Sequence, residues 1–142
     1  MIIVPYEAKH ALRIQVQMAQ RDVEPFLTVE RAQAMEGGFS FAAIEGEQVL
    51  AVGGVTELWE GRALVWSLLD QDACKHMVAL YKAIKAIIAL LPYRRLEADT
   101  PCEFSAGHKM LRMLGFKLET ERMRAYRPDG GDSAMYVRLK ED

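Results

Sequence analysis

Between two apolar stretches, residues 62–69 and 94–100, lies "DQDACKHMVALYKAIKAIIALL" (residues 70–91), the strongest helical pattern in the chain. Met77, Leu80, Tyr81, Ile84, Ile87, Ile88 and Leu91 recur at i, i+3, i+4, i+7 and share one face, while Lys75, Lys82 and Lys85 fall elsewhere. Pro92 ends the run, since proline breaks the helical hydrogen-bond ladder. A helix joining two strands in this order is a right-handed crossover, and it leaves the two strands parallel. The spacing therefore predicts a sheet with a parallel pair formed by these two strands.

The remaining segments set neighbours around that pair. Residues 2–4 read as an edge strand, because Pro5 cannot donate to a ladder. Ala11, Leu12, Val16, Ala19 and Val23 predict one helix, broken at Pro25, and a second short helix is expected from Thr28 to the Gly37-Gly38 pair. From Phe39 the pattern turns to three apolar runs separated by Glu45-Gly46-Glu47 and Glu60-Gly61, a three-strand meander. Residues 104–114 read as a helix, and residues 116–127 and 133–140 as two long strands around Pro128-Asp129-Gly130-Gly131.

At 142 residues the chain is expected to form a single domain over residues 1–142, with a core of its own. A formal charge of -2 offers no basic field for a nucleic-acid backbone, so no nucleic-acid partner is expected. No apolar run approaches the roughly 20 residues of a membrane span, and "MIIVPYEAKH" lacks the pattern of a signal peptide. A cytoplasmic protein without membrane contact is expected. Cys74 and Cys102 are too few to staple a chain of this size, and no structural disulfide is expected.

The element order, together with "MLRMLGFK" (residues 110–117), resembles the GNAT acyltransferase superfamily over nearly the whole chain. In that family a penultimate helix typically ends in leucine-Gly-Phe and runs directly into the next strand. Physically, Gly115 can take the left-handed conformation that closes a helix while Phe116 returns to the core. The resemblance implies an α/β (α+β) fold: a mixed, mostly antiparallel sheet of about seven strands with helices on both faces and a splay between the fourth and fifth. It also implies acetyl-CoA in the splay, its pyrophosphate resting on amides at the start of the central helix.

The family motif there is Gln or Arg, two residues, Gly, one residue, then Gly or Ala. The matching stretch is "QDACKH": Gln71 stands first, Cys74 and His76 occupy the glycine positions, and Asp70 and Asp72 bring two carboxylates to the helix start. Those carboxylates suit the helix dipole and repel a pyrophosphate. Asp72 is expected as an N-cap or first-turn residue whose oxygen accepts an amide, so that the loop is a helix start filled by its own side chains. By resemblance, Leu68, Leu69, Gln71, Cys74, Lys75 and His76 are the cofactor-binding candidates, with acetyl-CoA held weakly.

Many family members carry a general-acid tyrosine four residues before the Gly-Phe glycine; here Leu111 stands there. His108, one turn earlier, is the candidate acid because imidazole titrates near neutrality. Glu57, near the end of the third strand, is the candidate base toward an amine; the bland alternative is a solvated strand-end carboxylate. Cys74, His76, Cys102 and His108 lack the paired spacing of zinc sites, so no metal is expected. Glu97, Asp99, Glu119 and Glu121 interleave with arginines and read as alternating-sign strand faces.

Two functions follow from the resemblance. One is an N-acyltransferase moving an acetyl group from acetyl-CoA to an amine on a small molecule or protein. The other is a catalytically inactive GNAT-like protein of the phage or prophage kind, an internal virion or assembly protein, which would place it in a virion. A homodimer or an assembly-protein partner belongs with these expectations.

Overall fold

The computed structural model describes residues 1–140. Its sheet contains β1 (Ile2–Pro5), β2 (Ser40–Glu45), β3 (Gln48–Trp59), β4 (Arg62–Leu69), β5 (Arg95–Pro101), β6 (Lys117–Met123) and β7 (Ser133–Leu139). The spatial order is β1-β2-β3-β4-β5-β7-β6. The β4 and β5 strands are parallel and every other pairing of these strands is antiparallel. The predicted parallel pair is thus where the crossover helix required it.

That helix, α3 (Met77–Leu90), buries Leu80 and Ile88 and keeps Tyr81 and Ile84 half-buried. Each buried aliphatic side chain contributes about 1.5–3 kcal/mol relative to exposure. With α4 (Ser105–Met113) it covers one face of the sheet, where Leu96, Ala98, Phe116, Ala134 and Tyr136 form the main core. On the opposite face α1 (Ala8–Arg13) and α2 (Val29–Ala34) pack on β2, β3 and β4 through Ala11, Ala32, Ala42, Val52 and Leu68. Among the described residues no helix is long and apolar enough to cross a membrane.

Two sequence expectations are corrected. The helix predicted through Val23 stops at Arg13: Ile14 is extended, Val16 bridges antiparallel to Asp70, and a 3₁₀ segment, Met18–Phe26, follows with Pro25 inside it. Tertiary pairing with the end of β4 outweighed the helical spacing. The strand predicted over 116–127 ends at Met123, because Asp132 Oδ1 accepts the Ala125 amide at 2.9 Å and turns the chain, with Ala125 at φ 52°.

Local punctuation is as read. Thr28 caps α2 by accepting the Arg31 amide at 3.2 Å. At the end of α4 the Phe116 amide donates to Leu111 O and the Gly115 amide to Arg112 O, both at 3.0 Å, with Gly115 at φ 91° and Phe116 buried. This is a Schellman closure, which needs a residue without a Cβ penalty at the left-handed position. Gly115→Ala should lower stability by about 1 kcal/mol from backbone strain alone, since an added Cβ would meet nothing closer than Arg138 Nε at 3.8 Å. The shift of the urea midpoint at unchanged slope measures it.

Candidate functional site

The β4 and β5 strands pair only over Arg62↔Arg95, Ala63↔Leu96 and Leu64↔Glu97. Beyond Leu64, β4 continues on β3 to Leu69 and β5 continues on β7 to Pro101, so the two diverge and open a notch. Glu97 pins the junction. Its carboxylate accepts from Arg62 Nε, from Arg62 Nη2 at 3.1 Å and from Arg95 Nε at 2.9 Å, and Arg95 also reaches across β7 to Glu119 at 2.6 Å. Arg62, and then Arg95, hold the Glu97 carboxyl below its usual range although burial opposes them.

A depressed carboxyl pKa contributes stability above the unfolded value and loses it as pH falls through the folded value. The melting temperature should therefore fall as pH drops below the ordinary carboxylate range. Glu97→Gln, starting from a lower stability, should fall less steeply over the same window. Parallel curves for the two proteins would show that this pair carries none of the acid sensitivity.

A cavity of about 260 Å³ opens at the junction, lined by Met35, Leu64, Trp66, Glu97, Asp99 and Tyr126 among others. Trp66 and Met35 belong to the α1/α2 face, so the cavity lies opposite α3 and α4. Its walls are mainly apolar, and its carboxylates differ. Glu97 is neutralised by two guanidinium groups, whereas Asp99 has no ion pair among the described residues and stays accessible through the cavity. The walls crowding Asp99 push its carboxyl up; its own amide and Arg127 offset part of this, and Asp22 adds to it.

Arg127, in the β6–β7 loop, crosses over to the 3₁₀ segment. Its Nη2 lies 2.6 Å from Asp22 Oδ1 and donates to Ala19 O at 3.1 Å. The pair is largely buried, with side-chain exposures of 15% and 7%, and neither Asp22 oxygen accepts a hydrogen bond among the described residues. The contact holds the loop bearing Tyr126 over the cavity.

The residues singled out from sequence lie elsewhere. Glu57 follows Thr56, which lines the cavity, and by strand alternation points to the other face, where Tyr93 hydrogen-bonds to it. His108 is clamped between α4 and the end of β5. Its Nε2 donates to Cys102 O at 3.0 Å, since a carbonyl only accepts, which leaves Nδ1 to accept from Tyr136 Oη at 2.7 Å. Cys74 is exposed, Lys75 pairs with Asp72 at 3.6 Å, and His76 lies near Glu45.

Asp72 stands at the N-cap position as expected, but its side chain caps no backbone amide there and instead accepts from Gln48 Nε2 at 3.1 Å; Asp70 holds the loop. Buried Asp70 accepts from the Gln15 amide at 3.0 Å, the Asp72 amide at 2.9 Å and Gln48 Nε2 at 3.2 Å. The loop amides that a pyrophosphate would need are spent within the fold: Gln71 on Gln15 O, Ala73 on Asp70 O and Lys75 on Asp72 O, at 2.8, 2.9 and 3.2 Å. The α-helix proper begins only at Met77.

The edge of β4 facing the notch is spent as well. The Asp70 amide bonds Leu50 O on β3, so by alternation the polar groups of Leu69 and Ser67 face away from β3. Leu69 N donates to Gln20 Oε1 at 2.9 Å, Leu69 O accepts from the Gln17 amide at 2.9 Å, and Ser67 O accepts from Gln20 Nε2 at 2.8 Å. Buried Leu68 faces the α1/α2 core and half-buried Leu69 packs toward α3. An acyl-CoA arm entering this notch would have to displace Gln17 and Gln20 from Ser67 O, Leu69 N and Leu69 O, and its phosphates would meet Gln71, Ala73 and Lys75 amides already bonded within the fold.

Asp99 and Gln20 escaped sequence reasoning. Asp99 sits in an alternating-sign strand, and only the lack of helical cover over that part of the sheet turns it inward to a cavity. Gln20 lay inside a predicted helix.

No family model matches the chain, and no curated protein matches it in sequence. Solved structures do resemble it. A GNAT-family acetyltransferase from Bacillus anthracis superposes with a TM-score of 0.71 at 15% identity, covering 99% of this chain and 95% of that one. An N-acetyltransferase from Staphylococcus aureus Mu50 gives 0.73 at 11% identity, with 99% and 98% covered. The ribosomal-protein-S5-alanine acetyltransferase of Vibrio fischeri gives 0.67 at 16% identity, with 99% and 93% covered. The chain has the GNAT fold.

Proposed function

We propose that this GNAT-fold chain is an N-acyltransferase whose acceptor is a cationic amine seated in the notch cavity, and that Asp99 takes the proton the amine must lose. The observation that carries the reading is an accessible, unpaired carboxylate, raised by its surroundings, in a mainly apolar cavity where β4 and β5 diverge. A catalytic base works best when its pKa lies near the working pH, and crowding moves Asp99 in that direction. Trp66 adds an aromatic wall to the cavity. A volume of about 260 Å³ suits a small amine or one amine-bearing side chain.

The test is a panel of primary amines incubated with millimolar acetyl thioester and followed by mass spectrometry. Acetylated product is expected from cationic amines on apolar bodies and not from amines that also carry a carboxylate, which Asp99 repels and the mainly apolar walls leave unpaired. Absence of product across the cationic panel would overturn the reading.

A second reading draws on the spent β4 edge and loop: a GNAT scaffold without catalysis, working through protein contacts as in a phage particle or its assembly. Thioester binding separates the two, since only the enzyme requires it.

A further inference from the structure

The β4 edge in the notch is occupied by an amide that belongs to the chain. The Gln20 carboxamide uses its NH₂ on Ser67 O and its oxygen on Leu69 N and on Gln17 Nε2. A donor and an acceptor presented to alternate residues of a strand edge are also what the two amides of a pantetheine arm offer between them. We propose that Gln20 is an internal stand-in for the amide of an acyl-donor arm, so that an acyl thioester enters the notch only when this side chain swings out. The inference rests on the acyltransferase reading.

The anchoring supports a side-chain movement rather than a loss of the whole segment. Before Gln20, Val16 is buried and bridged to Asp70; on either side of it, Ala19 and Asp22 are held by Arg127. Between these anchors no residue of the 3₁₀ segment is buried, and Gln20 itself is half-exposed. Its departure uncovers Ser67 O and Leu69 N, which the two amides of the arriving arm can engage, one donating and the other accepting. Such an exchange restores the two strand bonds, gives up the bond from Gln17 Nε2 to Gln20 Oε1, and costs the ordering of the arm. The transfer that follows balances simply. Asp99 takes one proton from the ammonium group, the neutral amine nitrogen bonds to the acyl carbon, the carbon–sulfur bond breaks, and the second nitrogen proton goes to the departing thiolate, which leaves as the thiol.

The experiment is calorimetric titration of acetyl-CoA into the native chain and into Gln20→Ala, with amide hydrogen exchange at Leu69 read on both. Native binding is expected in the high-micromolar range or weaker. Gln20→Ala is expected to bind roughly tenfold tighter, because the competent state no longer has to be selected from a minor population. Leu69 N–H should exchange faster in Gln20→Ala than in the native chain and regain protection when acetyl-CoA is added. Gln20→Asn, one methylene too short to span both partners, should behave the same way and keeps the test open if the alanine variant misfolds. Equal affinities for native and variant, with Leu69 unprotected by acetyl-CoA, would overturn the stand-in and leave the acyltransferase reading untouched. Cooperative melting of every variant without acetyl-CoA binding at millimolar concentration would overturn both.

Discussion

Arg127→Ala should lower folding stability by about 3–5 kcal/mol, the range seen when one partner of a buried ion pair is removed. Asp22 Oδ1 lies 2.6 Å from Arg127 Nη2, both side chains are largely buried, and no hydrogen bond satisfies either Asp22 oxygen among the described residues. Without the guanidinium the carboxylate must protonate or drag water into the site, and Ala19 O loses its donor too. The pair is a cross-link between elements 105 positions apart in the sequence, joining the 3₁₀ segment to the β6–β7 loop. The loss is therefore felt both in the 3₁₀ segment and in the loop that brings Tyr126 to the cavity. Replacing both residues, Arg127→Met with Asp22→Leu, should recover most of the deficit, because no unpaired charge then remains. Guanidinium unfolding of the two single variants and the double variant gives the coupling directly. A loss below 1 kcal/mol for Arg127→Ala would mean that water reaches Asp22 freely.

Asp99→Asn should lower kcat/KM for amine acylation by about 10²–10⁴-fold, the usual contribution of a positioned proton acceptor. The substitution keeps the shape and removes only the ability to take a proton. Asp99 must be ionised to act, so native activity should rise with pH through a value above the ordinary carboxyl range, and the Asn variant should lack that limb. The sign on stability is opposite. A carboxyl raised in the folded state favours folding at low pH, and that contribution is lost as pH rises through the folded value. At neutral pH Asp99→Asn should hence be at least as stable as the native chain while being far less active. A variant that lost stability and activity together would point to a structural role for Asp99. Unchanged kinetics would place the base elsewhere.

The cavity explains why Asp99, and not Glu57, is the carboxylate to test. Both are strand residues with nothing local to distinguish them. Glu57 falls on the face covered by α3 and α4 and engages Tyr93, whereas Asp99 falls on the face where α1 and α2 cover β2 to β4 and leave β5 beside a gap. Likewise His108 carries the right chemistry for an acid, but Tyr136 and Cys102 occupy both ring nitrogens. Residue type proposed these groups; three-dimensional placement sorted them.

What the chain determined by itself is everything carried by neighbouring residues. The apolar stripe from Met77 to Leu91 specified the crossover helix and with it the parallel pair, Thr28 specified a helix start, and Gly115 followed by Phe116 specified a helix stop. Such features repeat at 3.6 residues or lie within one turn, so a local reading captures them. The notch was decided elsewhere. Residues 15–17 looked helical and became extended because Val16 and Gln17 found the end of β4, Gln20 reached Ser67 and Leu69, and Arg127 reached Asp22. Each of these bonds joins positions about fifty residues apart or more. Their formation depends on which strand edges the completed sheet leaves unpaired, and only the assembled fold leaves β4 and β5 apart.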